Sequence, residues 1–430
     1  MKVLLINTYD LGHQPFGLAS PAAWLLRDGH QVTCADLSVD RMPEPNFDCV
    51  AFHLPMHTAT RMAAPLIARL HQQHPAVRIA CYGLYAPLNA GYLRELGAEA
   101  IVGGEFEAKL VAWVNGEDVS GISHERLNFI APHRDLLPVL GSYSKLRIGG
   151  EARTVGYTEA SRGCKHLCRH CPVVPVYQGR FRVVAANVVL EDVRGQVAAG
   201  AQHITFGDPD FWNGPTHAQR IVYALHAEFP ILTYDVTIKV EHLLRHRDML
   251  ADLRATGCLM VTTAVESLDD AVLARLDKGH TQADFSLAVD LVREAGLTLT
   301  PTFIAFTPWT TRATYIDLLK TLAEMDLVEN VAPVQLALRL LIPAGSLMLE
   351  LDEVRSLVTG FDREALLHRW QHPDPSMDVL ADAAIRVAGT RGTRPEIFAK
   401  LWELATKGEY ETPPLQARAA VPFLDEPWYC

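Results

Sequence analysis

The chain has 430 residues, 49% of them hydrophobic and 21% charged, a globular balance with room for about three domains. Its longest apolar runs, such as "CLMVTTAV" and "LTLTPTFIAF", are interrupted by polar residues and fall short of a membrane span. The opening "MKVLLINTYD" lacks the apolar core of a secretory leader, so a cytosolic protein with reduced thiols is expected, and a formal net charge of −11 argues against a nucleic-acid partner.

The first stretch alternates short apolar strands ("KVLLINT", "QVTCADL", "CVAFHLP", "RIACYG", "AEAIVGG") with helical patterns such as "RMAAPLIARLHQQ". That alternation predicts a doubly wound parallel α/β sheet over residues 1–125. Ligands on such sheets lie at the carboxyl ends of the strands. The loop "YDLGHQPFGLAS", with Asp10, Gly12, His13 and Gly17, is the expected mouth. Residues 126–153 break the alternation and read as a linker. A second series then runs through "TVGYTEASRGC", "HITFGD", "LTYDVTIKV", "CLMVTTAVES", "LTLTPTFIAF" and "VAPVQLALRLL", mostly separated by helices. Six strand–helix units over 154–345 predict a partial (β/α)6 barrel of the TIM type. Residues 346–430 read as a small helical region with a Pro-containing tail. Cys34, Cys49, Cys81 and Cys258 fall in apolar runs and are expected to be core residues.

Three of the eight cysteines stand together in "CKHLCRHC": Cys164, Cys168 and Cys171. The triad follows the first strand of the second series, at the end where barrel active sites lie. Three thiolates hold three irons of a cubane, and the missing fourth ligand leaves one iron open, where four cysteines are the usual rule. A structural zinc is the alternative; it wants four ligands, which would draw His166 or His170 from the same tight loop.

C-x3-C-x2-C after the first barrel strand resembles the radical S-adenosylmethionine signature, and the resemblance covers about residues 150–345. "ITFGDPDF" is similar to the acidic-aromatic motif of that superfamily's second strand, and "AVESLDDAVLARLDKGHT" to a stretch common in its cobalamin-associated branch, with Ala264 where glycine is usual. The resemblance implies a 4Fe-4S cluster on Cys164, Cys168 and Cys171, whose open iron chelates S-adenosylmethionine. One electron from a low-potential donor of flavodoxin or ferredoxin type then yields a 5′-deoxyadenosyl radical. It also implies Asp208 near the methionine amino group, Lys239 and Glu266 near the carboxylate and ribose, and His170 stacked on the adenine. Arg339 is expected either to hold a substrate acid or to form an internal salt bridge.

The first domain resembles the cobalamin-binding domain that precedes many radical enzymes, with "GEFE" at Gly104 to Glu107 matching its G-E-x-E. Its D-x-H-x-x-G motif is absent, since Asp10 and His13 are spaced D-x-x-H. The resemblance implies cobalamin contacts around His13, Thr58, Gly83 and Gly104. The ending "FLDEPWYC" resembles that of the CUAEP/CCAEP-tail radical S-adenosylmethionine (seleno)proteins, which makes Cys430 a candidate redox residue and predicts that the tail's aromatic residues dock near the barrel mouth. The reading is a radical enzyme, cobalamin-assisted methyl transfer or another C–H modification being its reaction on a small or peptide-like substrate. The alternatives are a cobalamin-free rearrangement or redox chemistry at Cys430, a methylthiotransferase, and a non-catalytic iron–sulfur or cobalamin sensor.

Overall fold

A computed structural model describes residues 1–44, 46–415 and 421–426. The first sheet holds β1 (Lys2–Asn7), β2 (Gln31–Asp36), β3 (Cys49–His53), β4 (Arg78–Tyr82), β5 (Ala100–Gly104) and β6 (Gly121–Ser123). Their order is β2-β1-β3-β4-β5-β6, and every pair is parallel. The period of two along β1 explains why both faces are covered. Val3 and Leu5 pack toward Leu18 and Ala22 of helix Phe16–Arg27, whereas Leu4 and Ile6 pack toward Ala63 and Ile67 of helix His57–Gln73. Strand order reverses between β1 and β3, which opens the crevice above their carboxyl ends.

The second sheet begins with β7 (Lys145–Ile148), within the stretch expected to be a linker, and β8 (Glu151–Thr158). A small hairpin of β9 (Ser161–Gly163) and β10 (Phe181–Val183) flanks the cysteine loop. β11 (His203–Phe206), β12 (Thr233–Thr237), β13 (Cys258–Glu266) and β14 (Thr298–Phe303) follow. The five parallel strands β8 and β11 to β14 curl into a half-barrel closed on the outside by helices such as Pro215–Glu228 and Gln282–Glu294. The expected sixth strand, "VAPVQLALRLL", is reduced to one parallel bridge between Phe306 and Arg339. Pro333 opens the 3-10 turn Pro333–Leu336 there, and a residue without an N–H cannot feed a ladder.

The C-terminal region is mixed rather than helical throughout. It contains helices Pro375–Ala388 and Arg394–Thr406 and the antiparallel hairpin β15 (Val358–Asp362) and β16 (Leu367–Trp370). Its last described element, β17 (Phe423–Leu424), returns to the second sheet and pairs antiparallel with β7, Phe423 opposite Arg147 and Leu424 opposite Leu146. Leu424 packs there with Leu146, Val155 and Met260. Asp425 fastens the end: its N–H donates to Lys145 O at 3.0 Å and its Oδ2 accepts from Arg147 Nε at 2.6 Å. β7 is antiparallel to β8 as well, so β17 runs parallel to the barrel strands and toward their carboxyl ends. Among the described residues no helix is long and apolar enough to cross a membrane.

Candidate functional site

The carboxyl ends of the two sheets face one cavity of about 440 Å3. The first sheet contributes Asp10, His13, Gly17, His53, Gly83 and Gly104; the barrel contributes Tyr157, Thr205, Asp235, Thr262 and Thr302; the returning tail contributes Phe423, Leu424 and Glu426. Ser161, Arg162 and Gly163, which lead into the cysteine loop, line it too.

The cysteine loop is anchored from several sides. Lys165 N–H donates to Asn213 Oδ1 at 3.2 Å, Arg169 N–H to Leu276 O at 2.9 Å and Cys171 N–H to Cys168 O at 3.1 Å. Cys164, Cys168 and Cys171 are all free thiols, and their charges couple to one another. Burial pushes the Cys164 thiol up and the Cys171 thiol to about 12, so both wait protonated until a metal takes the proton's place. Lys239 Nζ lies 3.8 Å from Cys168 Sγ and 3.7 Å from Glu241. Three thiols on one short loop, flanked by cationic side chains, fit a cluster that takes three protein ligands.

Around that loop the expected cofactor residues converge. Asp208 is buried; its carboxylate accepts from Ala160 N at 2.9 Å and from Ser161 Oγ at 2.5 Å, tying β11 to the strand end before the cysteines. Burial lifts it to about 7, although those hydrogen bonds pull the other way. Glu266 ends β13 with a positive φ of 72°, where the register with β14 shifts. A non-glycine residue held there is strain kept at a site. Burial opposes its charge, but Lys278 at 3.4 Å and His170 Nε2 at 3.1 Å outweigh it and hold Glu266 at about 2. His170 is therefore fixed by Glu266.

The first sheet's candidates sit differently. Gly83 (φ +107°) and Gly104 (φ +69°) line the cavity, and a Cβ on Gly104 would stand 2.1 Å from Ser123 O. A Cβ on Gly17 would stand 2.1 Å from the His53 ring, whose Nδ1 is buried without a hydrogen-bond partner. Thr58 lies in the first turn of helix His57–Gln73, and Pro55 and Met56 form the cavity wall before it. His13 stacks near Tyr157, and its Nε2 lies 3.0 Å from Glu426 Oε1. Cys430 lies outside the described residues. Arg339 forms the salt bridge: 2.6 Å to Asp378, with its guanidinium 3.8 Å above the Trp370 ring.

Sequence reasoning missed the charged cluster that joins the sheets. Arg162, the middle residue of β9, contacts Glu107 at 2.7 Å, Glu159 at 2.6 Å and Glu105 at 3.4 Å. One cation cannot neutralise three carboxylates, and burial raises both Glu105, to about 7, and Glu159 above the ordinary carboxylate range. The "GEFE" motif carried the signal for two of these residues, but the pattern names no partner. Sequence reasoning also missed Asp210, whose carboxylate is 2.7 Å from His242 Nδ1 and 3.5 Å from His166 Nε2.

Residues 158–322 match the Radical SAM superfamily. Over 187 residues the chain is 28% identical to a tRNA-2-methylthio-N(6)-dimethylallyladenosine synthase of Desulfosudis oleivorans, a match covering 41% of this chain and 38% of that protein. The chain thus spans well under half the length of that relative. Its fold is similar to the cobalamin-dependent S-adenosylmethionine radical enzyme OxsB with aqua-cobalamin bound (TM-score 0.69, 15% identity, 89% of this chain and 66% of that one). It is similar as well to the radical S-adenosylmethionine methyltransferase TsrM from Kitasatospora setae with tryptophan and aza-SAM bound (TM-score 0.67, 16% identity, 95% of each chain).

Proposed function

We propose that this enzyme, which carries a radical SAM domain over residues 158–322, modifies an unactivated C–H position of a small or peptide-like substrate, by methyl transfer assisted by cobalamin. One observation carries the reading: Gly163, next to Cys164, lines the same cavity as Gly83 and Gly104 at the ends of the other sheet. A metal cluster on the cysteines and a ligand of the first sheet would share one enclosed space.

Cys164, Cys168 and Cys171 would hold a 4Fe-4S cluster, which when bound would supply the low-potential electron for opening the carbon–sulfur bond of S-adenosylmethionine. The chain's own residues do the rest. Lys239 and Lys278 put positive charge beside the thiolates and beside Glu266. Asp208 and Glu266 offer acceptors for the amino group and ribose, and His170 presents a ring beside Glu266. Phe206 and Met260 of the barrel wall are buried and line the cavity, which shields a reactive intermediate from side reactions. Cobalamin would lie against Gly83 and Gly104, which line the cavity; their positive φ, and the backbone of Leu54 and Ser123 where a Cβ would stand, require glycine at both places. His13 is engaged by Glu426, so this reading does not assign its imidazole to cobalt. OxsB and TsrM, the similar folds, support cobalamin and methyl transfer as the choice. A flavodoxin- or ferredoxin-type protein is the proposed reductant. Redox chemistry by the tail is the second reading, favoured because Phe423, Leu424 and Glu426 line the cavity.

Anaerobic reconstitution tests the reading. The parent chain is expected to bind four irons and four sulfides per chain, by the cubane stoichiometry, and to release 5′-deoxyadenosine with a strong reductant. Cys164→Ala, Cys168→Ala and Cys171→Ala are each expected to lose both. Full 5′-deoxyadenosine release in any of them would overturn the cluster assignment, and none from a cluster-loaded parent would favour a sensor. Titration with hydroxocobalamin checks the second cofactor; no optical change at tens of micromolar, roughly 6 kcal/mol of binding, would remove cobalamin from the proposal.

A further inference from the structure

Beside the cysteine loop lies a set of donors that shares Cys164 with the cluster and otherwise stands apart from it. Cys164 Sγ, a ring nitrogen of His166 and a carboxylate oxygen of Asp210 all lie within 4.8 Å of one another. His242 Nδ1 joins them at 2.7 Å from Asp210 Oδ2. The carboxylate of Asp210 stands between the two imidazoles, 2.7 Å from His242 Nδ1 and 3.5 Å from His166 Nε2. Asp210 is fully buried and His242 is 5% exposed, so this polar group is built into the wall beside the cysteine loop.

Their origins make the convergence specific. Asp210 caps the turn Phe211–Asn213 after β11, and His242 sits in helix Val240–Arg245 after β12. His166 and Cys164 belong to the cysteine loop, and Asn213 Oδ1 holds that loop at Lys165 N. Two consecutive strand ends thus aim a carboxylate and an imidazole at the first half of the loop. One sulfur, two imidazole nitrogens and one carboxylate oxygen are the donors of a tetrahedral zinc site. Around zinc such atoms stand about 3.3–3.6 Å apart, from bond lengths of about 2.0–2.3 Å; Cys164, His166 and Asp210 are already within 4.8 Å of one another, and His242 enters the set through Asp210.

We propose that, before the cluster is assembled, Cys164, His166, Asp210 and His242 bind one Zn2+, in a site distinct from the three-cysteine site and sharing only Cys164 with it. Zinc and cluster exclude each other, because one thiolate cannot serve both. The zinc state holds the first half of the loop in place and keeps the Cys164 thiolate covered; Cys168 and Cys171 stay free. Binding releases the thiol proton of Cys164 and changes no oxidation state.

The test uses the full-length, cluster-free chain under anaerobic conditions, with Zn2+ titrated against a chromophoric chelator and Co2+ as the spectroscopic probe. The Cys168→Ala/Cys171→Ala double variant is expected to keep one zinc site with affinity near that of the parent, and its cobalt form to show the visible bands of a tetrahedral site with a thiolate. Adding Asp210→Asn, or His242→Gln in case the first variant unfolds, is expected to weaken zinc by at least about tenfold, with circular dichroism confirming the fold. If the double variant binds no zinc while the parent does, the metal sits on the three cysteines and the proposal is wrong. If neither binds, it is wrong as well. Preloaded zinc is also expected to delay cluster assembly in the parent and not in Asp210→Asn. A parent that binds zinc but never forms a cluster would sink the radical-enzyme reading and leave this site standing.

Discussion

At the scale of single residues, charge economy under burial governs this molecule. Glu105 is fully buried, one of its oxygens has no hydrogen-bond partner, and burial lifts it from 4.5 to about 7. A carboxyl raised in the folded state binds a proton that the unfolded chain has released, so its stabilisation is full below about pH 4.5 and is lost as pH rises through about 7. Across that window the loss is on the order of 3 kcal/mol, from about 1.4 kcal/mol per pKa unit. Glu105→Gln keeps the shape and cannot ionise. It is expected to flatten the decline in stability between pH 4.5 and 8, measured by urea unfolding at several pH values; an unchanged slope would mean that another group carries the proton. The cysteines were legible in the sequence because their spacing is local. Glu105 was not, because its behaviour is set by Arg162, Glu107 and Glu159, brought together by the tertiary fold.

Among the elements, legibility follows burial and length. The parallel strands of both sheets read as apolar runs because they are covered on both faces, and β1, β3 and β5 lie where those runs stand. The sixth barrel strand did not form, since Pro333 in an otherwise strand-like run turns the chain into a 3-10 segment. The hairpin of β15 and β16 escaped notice because its residues are largely half-exposed or exposed and carry no clear alternation. β17 is two residues long, too short to signal anything by pattern, and its partner is remote in sequence. It is nonetheless a structural strand. Leu424→Asp would place a carboxylate against Leu146, Val155 and Met260, at a cost of about 1–3 kcal/mol. The expected result is faster amide hydrogen exchange at residues 145–148 with β1 unchanged. Protection at 145–148 equal to the parent would show that the pairing does not hold the seam.

For the molecule as a whole, buried ion contacts bind the two sheets into one body. Arg162 reaches Glu105 and Glu107 beyond β5, while Arg134 is held by Asp192 at 2.5 Å and donates to Gln14 at 2.9 Å and to Tyr157 O at 2.6 Å. Removing one partner of such a pair leaves uncompensated buried charge. Arg162→Ala is expected to cost about 3–5 kcal/mol, read as a lower denaturation midpoint, and to loosen the walls of the shared cavity. A loss under about 1 kcal/mol would mean that the carboxylates simply take up protons, on the scale of a surface pair. The place of the site was legible, since both sheets could be expected to offer their carboxyl ends. The joint between them was not.

β17 also fixes an order of events. During synthesis its partner β7 emerges with the first half of the chain, and Phe423 and Leu424 follow only after every barrel strand has been made. Pairing so distant in sequence is slow to close. Until it does, the nascent barrel stands with an open flank beside Leu146 and Val155, and that flank is the last part of the cavity wall to be completed.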